Sequence, residues 1–211
     1  MKRVIFTRPM KKFRFKFNLR KNGRVIFFFS FLFAGIVIGA IYARNADKNM
    51  LDNLDFFFLT NFTLRSQYGA WDIFISSFAA MFVFLLVIFL LGLSAWGFLA
   101  MPLVLLFKGF GFGLSIGYLY GAYEFMGIWY NLVVILPGAF LSTLVMLSAS
   151  CISSKYSWQI FLSLLRSNIS EDMHKLFCQY MYKMMWLLII LALSAVVDMV
   201  FTLLFAGMFS F

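Results

Sequence analysis

The sequence predicts an all-α fold, a polytopic transmembrane helical bundle of about five spans. Three observations predict it. The hydrophobic residues make up 64% of the 211-residue chain, charged residues only 12%, and the mean hydropathy is +0.93. A soluble domain is usually about half apolar and about a quarter charged, so this chain would leave too much apolar surface in water. Five apolar runs also reach the ~20 residues that a helix needs to cross ~30 Å of hydrocarbon. Finally, the charge is segregated. The formal net charge is +10, and residues 1–24 hold ten of the 18 basic residues and no acid, while the other 187 residues are neutral on balance.

The first element is that basic tail, residues 1–24, read as cytoplasmic. It alternates Lys12-Phe13-Arg14-Phe15-Lys16-Phe17. Cations beside a span are drawn to anionic lipid at about 1 kcal/mol each, and phenylalanines insert at the interface. Anionic lipid is therefore the partner expected at the tail, not nucleic acid. The remainder, 25–211, reads as one integral membrane domain. Its first span, Val25–Ala43, is too long for the apolar core of a cleavable signal, and Ile41 stands where a small residue would precede cleavage. It reads as a retained anchor.

The next stretch, Arg44–Asp72, holds three basic residues and four acids, which suits the extracytoplasmic side. Within it Met50, Leu51, Leu54, Phe57 and Phe58 share one helical face. A short amphipathic helix is expected, lying on the membrane or packed on the bundle. The second span is about 73–93, followed by a turn at Ser94–Ala100. The third is about 101–121, as one span or two half-helices. The turn near Tyr123–Gly127 holds Glu124 and no basic residue. The fourth span is about 128–151, with Leu136-Pro137-Gly138 positioned to open it locally. Residues 152–185 carry Lys155, Arg166, Lys175 and Lys183 and read as a cytoplasmic helical segment. Ser170 is placed to cap its second part, which leads into the fifth span, about 186–209.

Two features inside the spans carry information. Gly109, Gly113, Gly117 and Gly121 recur every four residues, and Gly35, Gly39 and Ala43 do the same on the first span. Such ridges admit a neighbouring backbone, either within the bundle or from a partner's helix. The second feature is Asp198, roughly 18 Å along its helix from Trp186. A carboxylate there costs about 2.5–3.5 kcal/mol on insertion scales and must face protein. Ser194 and Thr202 share its face. Lys108 is the other charge deep in an apolar run, which suggests a Lys108–Asp198 pair.

The remaining counts exclude much. Cys151 and Cys178 make no disulfide framework, and His174 has no ligand partners. No phosphate-binding loop, zinc-protease motif or nucleophile elbow is present, so neither a cofactor nor an enzymatic activity is expected. A transporter or channel component, using Asp198 and Lys108, is the competing class.

Several stretches together resemble one family. They are Asn18-Leu19-Arg20-Lys21-Asn22, Gly35-Ile36-Val37-Ile38-Gly39-Ala40, Leu91-Gly92-Leu93-Ser94-Ala95-Trp96-Gly97, Pro102-Leu103, Lys108-Gly109-Phe110-Gly111-Phe112-Gly113, Leu136-Pro137 and Asp198. Over roughly residues 18–205 the chain resembles stage II sporulation protein M. It departs from that pattern in Gly138-Ala139-Phe140, where the family usually has polar residues, and in an aspartate where glutamate is commoner. The resemblance implies a bacterial cell-membrane protein without enzymatic activity. By the same resemblance it would scaffold two peptidoglycan hydrolases, stage II sporulation proteins D and P. That complex thins the septal wall and drives engulfment of the forespore. On this reading the glycine ridge and the outer loop around Leu51, Leu54 and Phe58 are the partner contacts. Lys108 and Asp198 form the internal polar lock.

Overall fold

The computed structural model describes residues 23–45, 69–166 and 172–205. Residues 1–22 of the basic tail, the loop with Leu51, Leu54 and Phe58, and the Ser170 cap lie outside the described residues. Every element is helical: α1 (Gly23–Asn45), α2 (Ala70–Leu93), α3 (Gly97–Tyr130), a π-helical turn (Asn131–Ile135), α4 (Leu136–Arg166) and α5 (Asp172–Phe205). Five stretches are long and apolar enough to cross a membrane: Gly23–Arg44, Ala70–Leu93, Gly97–Gly121, Phe125–Leu165 and His174–Phe205. In hydrocarbon each backbone N–H and C=O must be satisfied within its own segment, which is why these runs are helices.

Residues 97–121 form a single continuous helix, not two half-helices. Helical geometry carries on past Gly121, but the chain doubles back there. A β-carbon on Gly127 would strike the carbonyl of Leu119, eight residues earlier. On a straight helix those residues stand ~12 Å apart. Gly127 is thus the small residue that lets the hairpin between the third and fourth spans close. At the other end of the bundle α2 stops at Ser94, whose backbone is extended. Gly97 packs directly on the carbonyl of Leu91, so the reversal into α3 takes only Ser94–Trp96. The hydroxyl of Ser157, on α4, accepts from the Phe98 N–H at 3.0 Å and donates to the Ser94 carbonyl at 2.6 Å. One side chain therefore satisfies a donor at the start of α3 and an acceptor at the end of α2.

Helices α2, α4 and α5 pack on one another, and α3 packs between this trio and α1. Ile88, Met101, Leu105, Met146 and Leu191 are fully buried in the main core. The outward surface is apolar, with Phe29, Phe33, Val83, Leu103 and Leu203 all exposed. All five tryptophans are exposed as well. Trp71 and Trp129 stand toward one end of the bundle and Trp96, Trp158 and Trp186 toward the other, as in the aromatic belts at the two faces of a bilayer. The apolar exterior is a lipid-facing surface, and the chain is an integral membrane protein.

Helix α5 runs unbroken from Asp172 through the fifth span. The sequence divides these at residue 186, where hydropathy rises. The backbone has no reason to break there, since neither proline nor glycine occurs between Asp172 and Phe205.

Candidate functional site

Asp198 is 3% exposed, in the C-terminal third of α5. Its Oδ2 accepts a hydrogen bond of 2.5 Å from the Ser77 hydroxyl of α2. That length is typical of a hydroxyl donating to a carboxylate. Gly138 of α4 faces the same carboxylate. A β-carbon at Gly138 would come within 2.6 Å of the Asp198 Cβ and 2.9 Å of its Oδ1. The glycine therefore makes the room in which the aspartate sits.

The neighbouring hydroxyls divide their roles. Ser194 Oγ donates to the Gly138 carbonyl at 2.9 Å, a bond from α5 to α4. Thr202 Oγ1 donates at 2.7 Å to the Asp198 carbonyl, one turn back on its own helix. Of the two hydroxyls flanking Asp198 in sequence, only Ser194 bonds across to another helix in this way. Just before Gly138, Leu136 N–H bonds to Asn131 C=O, five residues back, and so closes the π-helical turn. Pro137 follows and supplies no N–H. The π turn and the proline together reset the register of α4 ahead of Gly138. Asn131 itself is buried, and its side-chain Nδ2 has no hydrogen-bond partner.

Lys108 lies midway along the third span. Its Nζ sits 4.9 Å from the centroid of the Phe84 ring on α2, a cation–π arrangement. The structure thus gives the lysine an aromatic partner that the sequence alone did not indicate, and the carboxylate a serine.

The glycine ridges of α1 and α3 meet each other. A β-carbon on Gly35 would strike the Leu106 carbonyl, one on Gly39 the Phe110 carbonyl, one on Gly109 the Leu32 carbonyl, and one on Gly113 the Ile36 carbonyl. At Gly117 it would come within 2.6 Å of the Ala43 Cβ. Gly121 lies past the end of this seam, with nothing among the described residues within 4 Å of its β-position. At four of the five glycines in the seam the nearest atom is a backbone carbonyl oxygen, and at Gly117 the Ala40 carbonyl follows at 3.0 Å.

A second polar tie, unread in the sequence, joins the trio at its other end. Tyr180 Oη donates to the Phe89 carbonyl at 2.9 Å, and Ser153 Oγ lies 3.1 Å away. The tyrosine has a single hydroxyl hydrogen, so Ser153 is the donor in that second bond. The Tyr180 ring lies between Phe89 and Tyr156, with centroids at 5.6 and 4.5 Å and planes within 5° in both pairs. Gly92 leaves space for the hydroxyl. The available signal was one tyrosine placed a few turns before an apolar run.

The site so built is a set of interhelical fasteners. Among the described residues no group of His, Cys, Asp and Glu could hold a metal ion. The family model for stage II sporulation protein M matches residues 25–203. The chain belongs to that family. The match spans all five helices, including the Asp198 site and the glycine seam. No curated protein and no solved structure matches the chain. Family membership and the membrane bundle support a non-enzymatic scaffold role in the membrane.

Proposed function

We propose that the protein is the membrane anchor of a septal wall-remodelling complex, recruiting peptidoglycan hydrolases as the family's role implies. The family match carries this reading. The character of the buried polar groups supports it, since the Asp198 carboxylate is engaged by Ser77 and covered by Gly138. A group held in this way ties helices together. Ten basic residues at the start of the chain favour a cytoplasmic N-terminus by the positive-inside rule. The first span then puts segment 46–68, with three acids against two basic residues, outside, where wall hydrolases of the kind of stage II sporulation proteins D and P act. The Leu51, Leu54 and Phe58 face is the docking element on this reading. Lys108 and Asp198 act as an internal electrostatic lock.

The test is co-purification of the tagged full chain from sporulating cells of its host, in a detergent that preserves membrane complexes. Recovery of wall hydrolases is the expected result, reduced by Leu54→Glu/Phe58→Glu. A preparation free of hydrolases, together with solute or ion flux in proteoliposomes that Asp198→Asn abolishes, would favour a transporter instead.

A further inference from the structure

A cleft of about 600 Å³ opens at the end of the bundle where α1 begins. Gly23, Arg24, Phe27, Phe28 and Phe31 of α1 form one wall. Phe98, Leu99, Pro102 and Leu103 of α3 form the other, and Ser154 of α4 stands at the side. None of these residues is acidic. The polar groups gather at one end. Arg24 is at the mouth, and Lys155 follows Ser154 directly in sequence. Arg24 and Lys155 are both exposed, so neither ammonium nor guanidinium group is shut inside the bundle.

The depth of the mouth is set by aromatic neighbours. Trp158 packs edge-on against Phe98 at 5.0 Å, and Trp96 against Phe161 at 5.9 Å. Exposed tryptophans of this kind mark the headgroup level of a bilayer. From Arg24 the cleft runs along α1 to Phe31, about 10 Å toward the bilayer centre. It thus has cations at headgroup depth and an apolar slot running into the hydrocarbon.

We propose that this cleft is a binding site for one anionic phospholipid. The phosphate is held between Arg24, Lys155 and the Ser154 hydroxyl, and an acyl chain lies in the slot between Phe31 and Leu103. A zwitterionic lipid could fill the slot equally well, but its positive headgroup would meet two cations and no acid. The nine basic residues before Gly23 deepen the same preference, but they attract any anionic surface. The cleft selects a single molecule.

Native mass spectrometry of the full chain in an equimolar mixture of phosphatidylglycerol and phosphatidylcholine with identical acyl chains tests this. The wild type should retain one phosphatidylglycerol in about tenfold preference. Arg24→Gln/Lys155→Gln should remove most of that preference. Leu103→Trp, at an exposed position, fills the slot with every charge intact and should lower retention several-fold. Thermal unfolding of each variant confirms that it is folded. Equal retention of the two lipids by the wild type overturns the proposal. So does a phosphatidylglycerol preference that both variants leave unchanged, because the selectivity then belongs to the basic tail, or the tail's own phenylalanines occupy the cleft.

Discussion

The bundle is fastened in two unlike ways. The trio of α2, α4 and α5 is tied by side-chain hydrogen bonds at two levels, Ser77 to Asp198 and Tyr180 to Phe89 and Ser153. These levels lie about 27 Å apart along α5. Helix α1 is held to α3 along the seam of facing glycines and carbonyls. In lipid, apolar side chains gain nothing by leaving solvent for each other, so helices associate through close packing or through polar bonds. The trio relies on both. The seam rests on closeness. A polar tie can be weakened by a conservative swap and still leave the helices in place. A seam whose neighbours are backbone carbonyls has no side chain that can turn away.

That difference ranks the substitutions. Gly113→Leu should be the most damaging, because its side chain meets the Ile36 carbonyl and the Ala40 backbone. Overpacking of this kind costs about 3 kcal/mol or more. The expected outcome is a folded α2–α4–α5 trio with α1 detached. It would be read as a lowered unfolding midpoint in SDS titration and new protease sensitivity in residues 23–45. Retention of the wild-type midpoint would mean that the seam is not what holds α1.

Next comes the Ser77–Asp198 tie. Asp198→Leu removes the acceptor of Ser77 and presses two methyl groups toward Gly138, with an expected loss of about 2–4 kcal/mol. Asp198→Asn keeps the shape and should lose only about 1 kcal/mol. A double-mutant cycle with Ser77→Ala should give a coupling of about 1–2 kcal/mol. A coupling near zero would separate the two residues energetically, despite their 2.5 Å contact. Lys108→Met in the Asp198→Asn background then measures whether the two charges act together.

Much of this was legible in the sequence, for physical reasons that differ by feature. Spans are set by hydropathy over ~20 residues, which any single residue hardly changes. All five were therefore readable, and so was the ridge spacing on α1 and α3. The aspartate stood out because charge in hydrocarbon is costly. Its partners did not, since Ser77 is one of two adjacent serines in an apolar run and Gly138 one glycine among 14. Which serine meets the carboxylate depends on the rotation of α2 and on the π turn in front of α4. The i→i+5 register of that turn leaves no compositional mark. Tyr180 was hidden for a related reason. The stack of Phe89, Tyr180 and Tyr156 comes from three helices far apart in the chain.

The Tyr180 tie should be the weaker of the two. Tyr180→Phe keeps the stacked ring and removes only the hydroxyl, so the expected loss is about 0.6–1.7 kcal/mol, the range of interhelical hydrogen bonds in lipid. Ser153 then loses its acceptor but can donate to a backbone carbonyl of its own helix. Tyr180→Ala, which empties the stack as well, should lose about 3 kcal/mol or more. If the two substitutions cost the same, the hydroxyl is the fastener and the ring merely positions it.

The smallest effect is expected at Gly121, and it is the sharpest control on the seam. Gly121 shares the four-residue spacing of Gly109, Gly113 and Gly117, but among the described residues nothing lies within 4 Å of its β-position. If spacing alone conferred importance, Gly121→Ala and Gly113→Ala would destabilise alike. If contact does, Gly113→Ala lowers the SDS midpoint. Gly121→Ala should leave it within about 0.5 kcal/mol or raise it slightly, since alanine is the better helix former. A normal midpoint for Gly121→Ala in purified protein, combined with lost function in cells, would be the most informative result. It would mean that the open end of the ridge, free in the isolated chain, is where another transmembrane helix docks.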